Sequence, residues 1–187
     1  GNLSKAEVQR MAAERELSTA YKPKSQDLCF VPNGNYRAFL TNHIPQNSGE
    51  IINGEGKVVG RHEGVAFYTV GQRHTLGLSS QERLYVTSID SHHNVLVVGT
   101  EDRLYGDTAF ASGVKFISGE LPRQPIAITA KIRYRSPGAS ATLYPEDSDR
   151  VRIQFHQPQR AITPGQAIVF YQDDAVLGGG TIEGGNN

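Results

Sequence analysis

The sequence is short of several things, and each shortage excludes a class of protein. Its 187 residues include one cysteine, Cys29. That excludes an intrachain disulfide framework and a multi-cysteine zinc site, so no metal is expected, and it fits a reducing, cytoplasmic setting. No apolar run approaches the roughly 20 residues needed to cross a bilayer, so neither a transmembrane segment nor a membrane partner is expected. The opening stretch, Gly1 to Arg10, is polar and lacks the apolar core of a secretory signal. It also lacks an initiator methionine, and the expectation is a piece of a longer polypeptide. Charge of one sign is not in excess either: 19 Lys and Arg balance 19 Asp and Glu. No global basic field therefore draws the chain onto nucleic acid.

What is present is unevenly spread. Between Lys115 and Arg160 there are eight Lys and Arg against four acidic residues, so a polyanion-binding surface is expected there. Ser4 and Glu7 form a capping-box pattern ahead of Val8, Met11 and Ala12, which predicts a helix from Lys5 to about Leu17. Residues 21–34 have no period and read as loop, and a short helix is expected from Asn35 to about Asn42. Pro45, Asn47, Ser48 and Gly49 break the pattern.

Beyond Glu50 the chain reads as β. A hairpin is expected over Ile51–Val59, a strand over Val65–Val70, and a second hairpin over Leu84–Val98. Six further strands follow at Ala109–Ile117, Ile126–Tyr134, Ala141–Tyr144, Val151–Phe155, Ala167–Tyr171 and Val176–Ile182. Short strands separated by Gly, Pro and Asp turns are the signature of a small antiparallel barrel. The fold class is thus mainly β. The expected domains are a helix-and-loop remnant (1–45), a β-rich central domain (46–107) and a C-terminal β-barrel (108–184), with a disordered tail (185–187).

Two places offer chemistry. In Ile126–Arg135 alternation puts Ile128, Ala130, Ile132 and Tyr134 on one face and Lys131, Arg133 and Arg135 on the other. Cations about 7 Å apart on one face would suit successive phosphates. They would equally well solubilise a barrel. Cys29 lies between Leu28 and Phe30 in the aperiodic stretch, where it reads either as a buried small hydrophobe or as a reactive thiol. Lys22 and Lys24 would help lower its pKa and Asp27 would oppose them. The Gly71–Gly77 run does not fit a nucleotide-binding fingerprint, and Gly178-Gly179-Gly180 reads as a place of close strand packing or a bulge.

Several segments carry a resemblance. The helix at Gly1–Val8 and the loop SQDLCFV (Ser25–Val31) are similar to bacterial-type tRNA 2-thiouridylases. So are GRHEG (Gly60–Gly64), FYTVGQR (Phe67–Arg73), KIRYRSP (Lys131–Pro137), PQRAITPGQ (Pro158–Gln166), VFY (Val169–Tyr171) and LGGG (Leu177–Gly180), in order along nearly the whole chain.

The resemblance implies a tRNA-modifying sulfurtransferase acting on the wobble uridine, position 34, of certain tRNAs. In this family an N-terminal domain with an SGGxDS-type loop uses ATP with Mg²⁺ to adenylate the uracil oxygen, and sulfur then replaces that oxygen. By the resemblance Cys29 would carry sulfur as a persulfide received from a relay protein. A second cysteine, in the ATP-using domain, would assist release and can pair with it as a disulfide. The barrel would resemble domain 2 of elongation factors, and tRNA contacts carry over onto Arg133, Tyr134 and Gln166, with Lys131 and Arg135 beside them. No SGGxDS loop occurs in these residues, so no cofactor is expected on this chain and the fragment alone is expected to be inactive. His74 stands where the family usually has a basic or small residue followed by Gly, and no role is carried onto it. The competing expectation is a non-catalytic RNA- or protein-binding barrel with a structural cysteine.

Overall fold

The computed structural model describes residues 2–21, 31, 35–134 and 136–186. The chain divides into two compact units, Gly1–Pro45 and Gln46–Asn187.

In the first unit, α1 spans Lys5–Glu14. The capping box is complete: the Ser4 amide donates to Glu7 Oε2 at 2.6 Å, and the Glu7 amide donates to Ser4 Oγ at 3.3 Å. Hydrogen bonding from the Ser4 side chain, and then from the Ser4 amide, holds the Glu7 carboxyl below its usual pKa. The helix stops three residues short of the expected Leu17. Glu16 takes φ +53°, its amide bonds Ala13 O at 3.0 Å, and the Leu17 amide reaches Ala12 O at 2.9 Å. That is a Schellman stop, made here without glycine. Helix α2 spans Tyr36–His43, with Asn35 Oδ1 accepting from the Ala38 amide at 3.1 Å. Neither helix contains a buried residue, and no helix among the described residues is long and apolar enough to cross a membrane.

The second unit is all β apart from two short 3₁₀ turns. Its first part is a four-stranded sheet of β1 (Gly49–Asn53), β2 (Val58–His62), β3 (Tyr85–Asp90) and β4 (Val95–Gly99). The spatial order is β2-β1-β4-β3, with β1 and β4 parallel. The strand expected over Val65–Val70 is not there. Val65–Phe67 is a 3₁₀ turn entered from Gly64 at φ +148°. Phe67, Tyr68 and Val70 are nevertheless buried, because the loop folds onto the sheet: the Gly71 amide bonds Val86 O at 2.8 Å and the Val86 amide bonds Gln72 O at 2.9 Å. Hydrophobic residues read as a strand were signalling burial rather than a ladder.

His62 pins this loop. It is buried at 1 % exposure, and the Gly64 amide donates to its Nδ1 at 3.0 Å. Nε2 therefore carries the proton and donates to Asn94 O at 3.1 Å.

The rest is a closed barrel in the order β10-β5-β8-β7-β6-β9. Its strands are β5 (Tyr105–Phe116), β6 (Ile126–Lys131), β7 (Ala139–Pro145), β8 (Val151–Arg160), β9 (Ala167–Gln172) and β10 (Ala175–Asn186). Neighbouring strands are antiparallel throughout. The fold is thus mainly β. Alternation fills the interior, with Ile128, Leu143, Ile153, Phe155, Ile168, Phe170 and Ile182 packed among the small side chains of Ala109, Ala111, Ala130 and Ala141.

At Gly178–Gly180 a β-carbon would collide with the neighbouring strands, on Lys115 O, Ile168 O and Val114 respectively, and the ladder shifts register nearby. The tail expected to be disordered is a strand as far as it is described. Gly185 pairs with Ala109 and Asn186 with Thr108. The long β5 presents ladder groups there that an ended β10 would leave unpaired. Asn187 lies outside the described residues.

Candidate nucleic-acid interface

The expected ladder of three cations on one β-face does not form. Strand β6 ends at Lys131, and Arg133 to Ser136 make a turn in which the Ser136 amide and hydroxyl both donate to Arg133 O, at 3.2 and 2.9 Å. Ile132 still points inward at 5 % exposure, but alternation fails after it, and Tyr134, aimed at the core by parity, is 97 % exposed.

Lys131 stays at the strand end with Nζ 5.6 Å from the Tyr171 ring centre. Arg133 instead turns toward the loop after β8, where Nη2 donates to Ala161 O at 2.9 Å and to Thr163 Oγ1 at 3.1 Å. Burial first, and the nearby charge of Arg160 second, lower its pKa from the usual guanidinium value; the group stays protonated at any physiological pH. Arg135 and Cys29 lie outside the described residues, as do Lys22, Lys24 and Asp27.

The loop that Arg133 grips carries Gln166. The Gln166 amide donates to Thr163 O at 3.3 Å, its carbonyl accepts from the Ile182 amide at 2.8 Å, and the Gly165 amide bonds Ile182 O at 2.8 Å. The turn is thus stitched to β10, leaving the Gln166 side chain exposed. KIRYR and TPGQ, 30 residues apart at Arg133 and Thr163, meet at one corner of the barrel.

That corner adjoins the four-stranded sheet. Ala161 is fully buried with Val70, Tyr85 and Leu104, its amide bonds Leu104 O at 2.7 Å, and its backbone is left-handed at φ +55°. A β-carbon on Gly71 (φ +87°) would lie 3.1 Å from Ala161 Cβ, 3.6 Å from Arg160 Nη1 and 3.9 Å from Arg133 Nη2. Arg160 is partly neutralised by Glu101, with Nε to Oε1 at 3.1 Å, and lies 5.4 Å from the Tyr85 ring centre.

Beside the corner opens a cleft of about 1070 Å³ whose lining includes Thr69, Thr87, Arg103, Thr163 and Gln166. Its charged lining residues are Glu55, Glu82 and Arg103, an acidic balance that does not suit a phosphate backbone.

Two other cations of the basic segment, Arg150 and Arg152, are committed elsewhere. Arg150 Nη2 meets Glu183 Oε2 at 2.7 Å, and Arg152 lies 4.1 Å from the Tyr144 ring centre and 3.6 Å from Glu146.

Ala161, Thr163 and Arg160 were not singled out from the sequence, and Gly71 was read there only as the start of a Gly-rich run. Thr163 sits inside the TPGQ match and could have been found there. Nothing in an alanine codon announces a left-handed backbone.

Three family models match in sequence order: a tRNA methyl transferase HUP domain over residues 1–33, a tRNA methyl transferase PRC-barrel domain over 37–100, and an aminomethyltransferase β-barrel domain over 107–182. Among curated proteins, the tRNA-specific 2-thiouridylase MnmA of Natranaerobius thermophilus is 45 % identical over 184 residues, covering 97 % of this chain and 50 % of that protein. Those of a Synechococcus and a Roseiflexus species are also 45 % identical, covering 98 and 97 % of the chain and 50 and 49 % of the relatives. The chain belongs to the tRNA-specific 2-thiouridylase family. It spans about half the length of the curated relatives it matches. The HUP match takes in 33 of its residues.

Proposed function

We propose that the chain is the C-terminal part of a cytoplasmic tRNA-modifying sulfurtransferase that places sulfur on the wobble uridine (position 34) of certain tRNAs. Its barrel and central sheet dock the tRNA, and Cys29 carries the sulfur as a persulfide received from a relay protein. The observation that carries the docking half is the meeting of KIRYR and TPGQ at one corner, where Tyr134 and Gln166 present exposed side chains. Lys131, at the end of β6, supplies positive charge beside them, and Arg135 follows Tyr134 in the sequence.

The family descriptions name methyl transferases and the curated relatives name 2-thiouridylases; 45 % identity over 97 % of the chain favours the second. A persulfide suits a thiolation, because it is more acidic than a thiol and is anionic at neutral pH.

ATP with Mg²⁺ is assigned to the part of the relatives that lies outside this chain. The hydrogen bonding of the Gly71–Gly77 run supports that assignment. In the one Gly-rich run ahead of a turn, the Gly71 amide is committed to Val86 O at 2.8 Å and the Gln72 amide to Thr69 O at 3.0 Å. They are not free to cradle phosphate.

Two experiments test the reading. The 187-residue chain should bind tRNA weakly, and the affinity should fall steeply with salt; salt-independent binding or none would remove the docking role. Cys29→Ser in the intact enzyme should abolish 2-thiouridine at the wobble position; normal levels would leave a structural cysteine and a binding module.

A further inference from the structure

Arg133 is one of the three residues, with Tyr134 and Gln166, that the resemblance offers as tRNA contacts, yet both of its Nη2 hydrogen bonds run inside the protein. One goes to Ala161 O at 2.9 Å and the other to Thr163 Oγ1 at 3.1 Å. The Thr163 hydroxyl in turn donates to Ala161 O at 2.9 Å, which closes a three-membered network. Thr163 is buried at 8 % exposure, so its hydroxyl has little water to replace a lost partner. Thr163 O accepts from the Gln166 amide at 3.3 Å. The network therefore reaches Gln166 through one residue, and it holds a left-handed alanine that an unsupported loop would not keep.

We propose that Arg133 is a positioning residue for tRNA recognition: it locks the Ala161–Gln166 turn, and direct contact with RNA at this corner falls to the exposed side chains of Tyr134 and Gln166. This rests on the tRNA-docking reading above. It differs from a phosphate ligand in a measurable way. Losing a phosphate-bound cation lowers the slope of log K against log salt by about 0.7 to 0.9, whereas losing the shape of a turn leaves the number of neutralised phosphates unchanged.

The test uses the 187-residue chain with Arg133→Gln and Thr163→Val. The second variant removes the hydroxyl and keeps every charge, so it reports on the network even where Arg133→Gln folds poorly. Both should weaken tRNA binding by about tenfold, the scale of one charge-assisted hydrogen bond. Both should keep the wild-type salt slope and speed hydrogen exchange at the Gly165 and Gln166 amides in the free protein. Full tRNA affinity in Thr163→Val, together with a reduced slope in Arg133→Gln, would overturn the proposal and make Arg133 a phosphate ligand. Unchanged amide exchange in both variants would overturn it without reference to RNA. Absence of tRNA binding by the wild-type chain would instead remove the docking reading, and the exchange measurement would still decide whether Arg133 holds the turn.

Discussion

Arg133 Nη2 donates to the carbonyl oxygen of Ala161 at 2.9 Å, and Ala161 holds that carbonyl in place with a left-handed backbone at φ +55°. An L-residue with a β-carbon pays roughly 1–2 kcal/mol for that conformation. The methyl group is also fully buried beside Val70, Tyr85 and Leu104, which offsets part of that cost.

Ala161→Gly should therefore be close to neutral. Relief of strain is offset by the lost methyl burial, at about 0.8 kcal/mol, and by the freer unfolded chain. Ala161→Val should destabilise by about 2 kcal/mol or more, since a β-branched residue is worse at positive φ and finds no space. Urea unfolding of the two variants checks this; equal stabilities would mean the backbone at 161 is not left-handed in solution.

Gly71 and Gly77 give a matched pair. Both have positive φ, +87° and +65°, but a β-carbon at Gly71 meets Ala161 Cβ at 3.1 Å and one at Gly77 meets nothing within 4 Å. Gly77→Ala should cost about 1 kcal/mol from backbone conformation alone. Gly71→Ala should cost clearly more, because the contact at the junction of sheet and barrel must open as well. Thermal melts of both variants measure the difference, and an equal loss would show that the junction has slack.

The barrel was largely legible because its period is simple. Ile128, Ala130 and Ile132 alternate with Thr129 and Lys131, and the six strands follow from such runs and the turns between them. Legibility failed where the chain stops alternating. Nothing local to Ile132 and Arg133 says that β6 ends at Lys131, because the reason lies 30 residues away at Thr163, where Arg133 finds its partner. Val65–Val70 failed for a related reason: burial under a loop and burial in a ladder select the same side chains. The Schellman stop at Glu16 breaks the usual glycine signal, so α1 read three residues too long.

His62 is the buried polar centre of the four-stranded sheet, linking Gly64 to Asn94 at 3.0 and 3.1 Å. His62→Ala leaves a cavity, an amide and a carbonyl without partners, and should cost about 2–4 kcal/mol by urea unfolding. His93→Ala, on the exposed turn beside it, should change stability by less than about 0.5 kcal/mol. Similar losses in the two variants would contradict the burial of His62.

Acid should weaken the barrel through Glu183. Hydrogen bonding from Ser112, and then the Arg150 guanidinium at 2.7 Å, hold its carboxyl below the usual value. A depressed folded pKa adds stability that is fully present above the unfolded pKa, about 4.3. That stability is lost as pH falls through the folded value. Glu183→Gln should therefore lower the melting temperature slightly at pH 7 and flatten its fall below about pH 4.3. The pair is exposed, so added salt should shrink the effect. A parallel acid limb in wild type and variant would exclude Glu183 as a contributor.

Tyr134 separates binding from folding. At 97 % exposure its ring contributes little to the core, and the turn that presents it is held by Arg133 and Ser136 instead. Stacking of a base or sugar on such a ring is worth about 1–3 kcal/mol, so Tyr134→Ala should weaken tRNA binding by roughly five- to 150-fold. Its melting temperature should stay at the wild-type value, and so should its salt slope, because no charge is removed. Tyr134→Phe should retain most of the affinity if the ring face makes the contact and lose it if the hydroxyl does. Full affinity in Tyr134→Ala would exclude the Tyr134 ring as an RNA contact.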